Sequence, residues 1–126
     1  MDRLRRRAEF LAVASGAKVP ATAFVLQARR RPDEQAARVG YTVSKKVGTA
    51  VERNRVRRRL KEAVRRSAAI GMRPGHDYVV VGRRAALSEP FGRLADALEQ
   101  ALTRIHQKPV APRGAMSSLR ATKDKQ

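Results

Sequence analysis

The sequence predicts an α+β fold: a single-domain α-β sandwich whose elements run in the order α-β-β-α-β-α. Three observations carry this expectation. The chain has 126 residues, 42% of them apolar, which suits one domain built around one core. Three short stretches, near 22–29, 38–44 and 77–83, have the residue types and length of strands. Two longer stretches, near 49–69 and 88–107, repeat apolar residues at helical spacing.

Ala8 to Ala14 form a short helix candidate that stops at Ser15-Gly16, with Phe10, Val13 and Ala14 on one side. From about Thr22 to Arg29, Phe24, Leu26 and Ala28 alternate with Val25, Gln27 and Arg29, as in a strand with two unlike faces. Arg30-Arg31-Pro32-Asp33-Glu34 is polar and carries Pro, so it reads as a loop. In a second strand, Arg38 to Ser44, Val39, Tyr41 and Val43 point one way and Gly40, Thr42 and Ser44 the other. The short loop makes an antiparallel pair the simplest expectation for these two strands.

Thr49-Ala50-Val51-Glu52 fits a capping box, in which the Thr hydroxyl and the Glu carboxylate satisfy free amides reciprocally. The helix it opens is expected to run to about Ala69, before Gly71 and Pro74, with Val56, Leu60, Ala63 and Val64 as its apolar stripe. Tyr78-Val79-Val80-Val81, within a third strand from Asp77 to Arg83, does not alternate, so that strand is covered on both sides or central. Ser88-Glu89-Pro90 opens the last helix, whose stripe is Phe91, Leu94, Ala95, Leu98, Leu102 and Ile105. From Lys108 onward Pro109, Pro112, Gly114 and scattered charges predict a disordered basic tail over 108–126, leaving 1–107 as the domain.

Charge narrows the function. Lys and Arg number 29 against 11 acidic residues, giving a formal net charge of +18. A small domain so unbalanced repels itself unless a polyanion is nearby. Nucleic acid is the commonest such partner, because each neutralised phosphate releases condensed counterions. With no Cys, disulfides, thiolate nucleophiles and Cys-based zinc sites are excluded. No apolar run approaches the roughly 20 residues that span a bilayer. The basic start is followed by too short an apolar stretch for a secretory signal, so no membrane association and a cytoplasmic location are expected.

The cations concentrate on the helix after Thr49. With successive residues about 100° apart, Asn54, Arg57, Arg58, Lys61 and Arg65 gather opposite the apolar stripe. Arg55, Arg59 and Arg66 lie on one flank, and Arg53 sits beside the stripe, as at a cleft or in a buried ion pair. Like charges at i, i+4 weaken a helix, so a docking polyanion explains the face better than a solvated surface does. Ser44-Lys45-Lys46-Val47-Gly48 places two more Lys at a strand-to-helix turn, where an ordinary exposed loop and a phosphate contact read alike. Its glycine spacing is not that of a Walker loop. The acids are scattered, and His76 and His106 stand apart in sequence, with His76 expected to be solvent-exposed. No catalytic residue and no metal ligand is therefore assigned to the protein.

The block from Arg38-Val39-Gly40-Tyr41-Thr42-Val43-Ser44-Lys45-Lys46-Val47-Gly48 through Arg53-Asn54-Arg55 to Arg58 resembles the centre of the bacterial ribonuclease P protein family. The resemblance continues from Glu9-Phe10 and Phe24-Val25-Leu26 to Asp77-Tyr78-Val79-Val80-Val81 and the last helix. It implies a left-handed βαβ crossover, similar to the second domain of ribosomal protein S5. It also implies an RNA-binding subunit of an endoribonuclease, in which a catalytic RNA uses Mg2+ to remove the 5′ leader of precursor tRNA. No cofactor bound by the protein and no protein partner is expected. Carried onto this sequence, Arg53, Asn54, Arg55, Arg57, Arg58 and Lys61 would meet the catalytic RNA. Phe10, Thr42, Ser44, Lys45 and Lys46 would line a cleft for the single-stranded leader. Two aromatic positions frequent in the family are occupied here by Ala14 and Gln27, which shifts the leader contact toward charge and hydrogen bonding. The alternative is a ribosome-associated RNA-binding protein with no catalytic role.

Overall fold

The computed structural model describes residues 2–68 and 71–107. The chain runs through β1 (Asp2–Arg3), α1 (Arg7–Ala14), β2 (Ala17–Pro20), β3 (Phe24–Arg30), β4 (Arg38–Thr42), α2 (Ala50–Ala63), β5 (His76–Gly82) and α3 (Phe91–Gln107). The five strands form one sheet in the order β1-β4-β5-β3-β2. The tail assigned to 108–126, and 69–70 at the expected end of the second helix, lie outside the described residues.

Every element expected within the described residues is present, and two short strands are added. β1 has only two residues and leaves no pattern to read. β2 has four and ends in Pro20, which an edge strand tolerates because one side of its backbone needs no partner. The expected antiparallel pairing of the strands now labelled β3 and β4 is incorrect. β5 lies between them, antiparallel to β3 and parallel to β4, with Val79 opposite both Gln27 and Gly40. The reason is burial: the continuous apolar run of β5 takes the centre, where both faces are covered. A parallel neighbour then needs a long crossover, which α2 supplies.

One face of the sheet carries the main core. Phe24, Leu26, Val39, Val43, Tyr78 and Val80 pack there against Val56, Leu60, Ala63 and Val64 of α2 and the Leu94, Leu98, Leu102 and Ile105 stripe of α3. The opposite face carries a smaller core of Leu4, Val13 and Val79, joined by half-buried Phe10 and Val81, with α1 as its cover. The α-helical part of α2 stops at Ala63, earlier than expected, and passes into a π turn over Val64–Ala68.

Polar groups lock these layers together. Asp77 is fully buried and lies between Arg31 and Arg38. Arg38 grips it with Nε and Nη2, both at 2.8 Å, and reaches Glu9 of α1 with Nη1 at 2.9 Å. Arg31 also donates to the carbonyls of Gln35, Ala36 and His76. Glu9 in turn accepts the backbone N–H groups of Arg6 and Arg5, which hold its carboxyl below the ordinary range.

His76 and His106 are not isolated, and His76 is half-buried rather than solvent-exposed. Their rings meet edge to face at 5.2 Å, and His76 stacks on Tyr78 at 6.0 Å. The Tyr78 hydroxyl accepts the Arg73 N–H at 2.9 Å and shares a second hydrogen bond with Nε2 of His106 at 2.8 Å. This chain ties β5, the turn before it and the end of α3. Burial, with Arg73 and His76 adding positive charge, pushes the His106 pKa from 6.5 down to about 4. Folding therefore favours the neutral ring: its contribution is full above pH 6.5 and is lost as pH falls toward 4. Urea midpoints should drop across that window, and drop less in His106→Asn; parallel curves would assign the acid sensitivity to other groups.

Candidate nucleic-acid interface

α2 begins where the capping box predicts. Thr49 Oγ1 accepts the Glu52 N–H at 3.1 Å, and Glu52 Oε1 accepts the Thr49 N–H at 2.9 Å. Burial of Val56, Leu60 and Ala63 against the sheet then fixes the helix's rotation. Asn54, Arg55, Arg58 and Lys61 are exposed as a result, with Arg57 half-buried beside them. Arg57 donates to Asn54 Oδ1 at 3.0 Å, and the Lys61 ammonium stands 5.8 Å from the Tyr41 ring centre. Arg55 and Arg58 reach no acceptor among the described residues. Arg53 is half-buried and turns toward the Gly48 carbonyl at 3.5 Å, with no carboxylate partner among the described residues.

Not every arginine of this helix is available. Arg59 donates to the carbonyls of Ala86, Leu87 and Glu89, closing the 3₁₀ turn Arg84–Leu87. Arg65 pairs with Glu62 at 2.6 Å, and Arg66 lies over Phe91.

Ser44, Lys45 and Lys46 are exposed just after β4, in a turn anchored by buried Val47. Arg84, which the sequence did not single out, fastens this turn to α2. Its Nη1 donates to the Val47 carbonyl at 2.7 Å, and its guanidinium pairs with Glu52, holding that carboxyl below the ordinary range. A Cβ at Gly48 would stand 2.2 Å from Glu52 Oε1 and 2.8 Å from Arg84 Nη1, so a side chain here would push the Glu52 cap and its Arg84 partner aside.

Phe10 occupies the other face of the sheet. A Cβ at Gly40 would come within 2.5 Å of Cε2 and Cζ of Phe10, so the edge of the ring abuts the bare backbone of β4. Phe10 thus packs with the smaller core and keeps part of its surface open. Thr42, two residues beyond Gly40 on the same face, is half-buried and in register with Val81, which is in register with Val25. Phe10 and Thr42 therefore line one face, with Ser44, Lys45 and Lys46 at its end and the α2 cations across the sheet. Ala14 and Gln27 are half-buried. The signals for Gly40 and Gly48 were in the sequence as glycines, but only the folded partners say why they are needed. Among the described residues no cluster of three His, Asp or Glu could hold a metal ion.

Comparison with known proteins places this geometry in context. The model of the family described as Ribonuclease P matches residues 1–106. The ribonuclease P protein component of Brucella suis is 47% identical over 109 residues, covering 80% of this chain and 77% of that protein. That of Gluconacetobacter diazotrophicus is 50% identical over 101 residues, covering 79% and 87%. The solved ribonuclease P protein of Thermotoga maritima superposes with a TM-score of 0.68 at 30% identity, covering 83% of this chain and 98% of that one. The chain belongs to the Ribonuclease P family, the protein component of the endoribonuclease that processes tRNA 5′ leaders.

Proposed function

We propose that the two faces of the sheet divide the work of the holoenzyme. The outward face of α2, through Asn54, Arg55, Arg57, Arg58 and Lys61 with Arg53 at its edge, grips phosphates of the catalytic RNA. The opposite face, through Phe10 and Thr42, with Ser44, Lys45 and Lys46 at its end, holds the single-stranded leader of precursor tRNA. Hydrolysis belongs to the RNA and its Mg2+ ions, and the setting is the bacterial cytoplasm. Among the described residues no helix is long and apolar enough to cross a membrane.

The observation that carries this reading is the different chemistry of the two surfaces. α2 presents cations and no exposed aromatic ring, which suits the backbone of folded RNA. The Phe10 face offers one ring, hydroxyls and two Lys, which suits an unpaired strand of variable sequence. Binding the leader raises affinity for precursor over product, so mature tRNA is released. Ala14 and Gln27 add no ring to that face, leaving Phe10 as its aromatic platform.

Two measurements test the division. Arg57→Ala plus Arg58→Ala should weaken catalytic-RNA binding and lower the slope of log affinity against log salt by roughly 1 for each phosphate no longer neutralised. An unchanged slope and affinity would remove α2 from the interface. Phe10→Ala should cost ~1–3 kcal/mol of precursor affinity in the holoenzyme, the range for one base–aromatic stack, while mature tRNA binding is kept. Equal loss for both RNAs would assign Phe10 to packing alone, and Phe10→Leu, which refills the space over Gly40 without a flat ring, separates the two roles.

A further inference from the structure

Resting on the leader reading above, we infer that an arginine-walled hollow at the start of α1 is a second station for the substrate strand, taking phosphates of leader nucleotides beyond the one at Phe10. The hollow has a volume of about 370 Å³ and is lined by Asp2, Arg3, Arg5, Arg6, Glu9 and Arg38. Arg38 and Glu9 neutralise each other within the ion network, so Arg3, Arg5 and Arg6 face only Asp2. Those three guanidinium groups reach no acceptor among the described residues.

The backbone that carries them is anchored. Asp2 N–H donates to the Ala37 carbonyl at 2.9 Å and Leu4 N–H to the Val39 carbonyl at 3.0 Å. Leu4 is buried in the smaller core. Glu9 Oε1 accepts the backbone N–H groups of Arg5 and Arg6 at 2.9 and 3.0 Å, so those amides are already used and the site is made of side chains. The fold thus holds three like-charged residues together on an anchored stretch of backbone, an arrangement that repels itself until an anion arrives. Planar guanidinium forks match phosphate oxygens in pairs, and a preorganised mount loses less freedom on binding than a loose arm would.

Position selects the leader over the catalytic RNA. Arg38, Gly40 and Thr42 alternate onto one face of β4, so Arg38 and Thr42 are about 13 Å apart at the usual rise of a strand. Phe10 lies on Gly40, between them. A strand held at Thr42 and Phe10 reaches the hollow without leaving this face, whereas α2 packs on the other side of the sheet.

The test uses the assembled holoenzyme and precursors that differ only in leader length, from short to long, with mature tRNA as the leaderless case. Arg5→Ala plus Arg6→Ala should reduce affinity for the longest leaders about tenfold, the order expected when one or two phosphates go unneutralised, and leave the shortest leader and mature tRNA unchanged. Arg5→Lys plus Arg6→Lys should retain most of the affinity. Equal loss at every length would place these arginines on the catalytic RNA or the tRNA body and overturn the inference, as would no loss at any length. Phe10→Ala on the shortest leader reads the cleft separately. If it still lowers affinity while the arginine pair shows no length effect, only the second station falls. If wild-type affinity ignores the leader altogether, the cleft falls with it.

Discussion

A carboxylate buried as fully as that of Asp77 is tolerable only with matched positive charge around it, and Arg31 and Arg38 supply that charge. Removing one partner of such a group leaves an uncompensated charge in the interior, at a cost of ~3–5 kcal/mol. The clamp does more than neutralise. Through Arg31 it fixes the loop after β3, through Arg38 the start of β4, and through Glu9 the first turn of α1. The helix that carries Phe10 is thereby held against the same strand that carries Gly40 and Thr42. The geometry of the face proposed for the substrate begins at this ion network.

The same chemistry explains how so basic a chain keeps a compact fold. Two groups of its arginines stand out. Arg31, Arg38, Arg59 and Arg84 spend their donors on internal carbonyls and carboxylates, acting as crosslinks between elements distant in sequence. Arg5, Arg6, Arg55 and Arg58 point outward without an internal acceptor among the described residues. The first group positions the second. Arg84 shows this most directly: by holding the turn of Lys45 and Lys46 to the start of α2, it links the end of the face proposed for the leader to the helix proposed for the catalytic RNA.

Local chemistry was legible in the sequence, and long-range pairing was not. The Thr49–Glu52 cap, the buried stripe of α2 and the alternation of β3 and β4 each depend on neighbours a few residues apart, and each reads correctly. The neighbour order of the strands depends on where the Val79–Val81 run finds cover, which loop length alone does not say. β1 and β2 are too short for any period. His76 and His106, far apart along the chain, meet only because β5 and α3 pack side by side. A guanidinium that grips a carboxylate and one that awaits a phosphate have the same letter, so Arg31 and Arg58 could not be told apart before the fold was known.

Cleavage of a precursor tRNA by the catalytic RNA at low Mg2+, with and without this protein, tests most directly whether a folded array of cations serves a catalyst made of RNA. Addition of the protein should restore 5′ leader removal at Mg2+ concentrations where the RNA alone is slow, and the protein alone should cut nothing. Unchanged processing on addition of the protein, or cleavage by the polypeptide without the RNA, would contradict that division of labour.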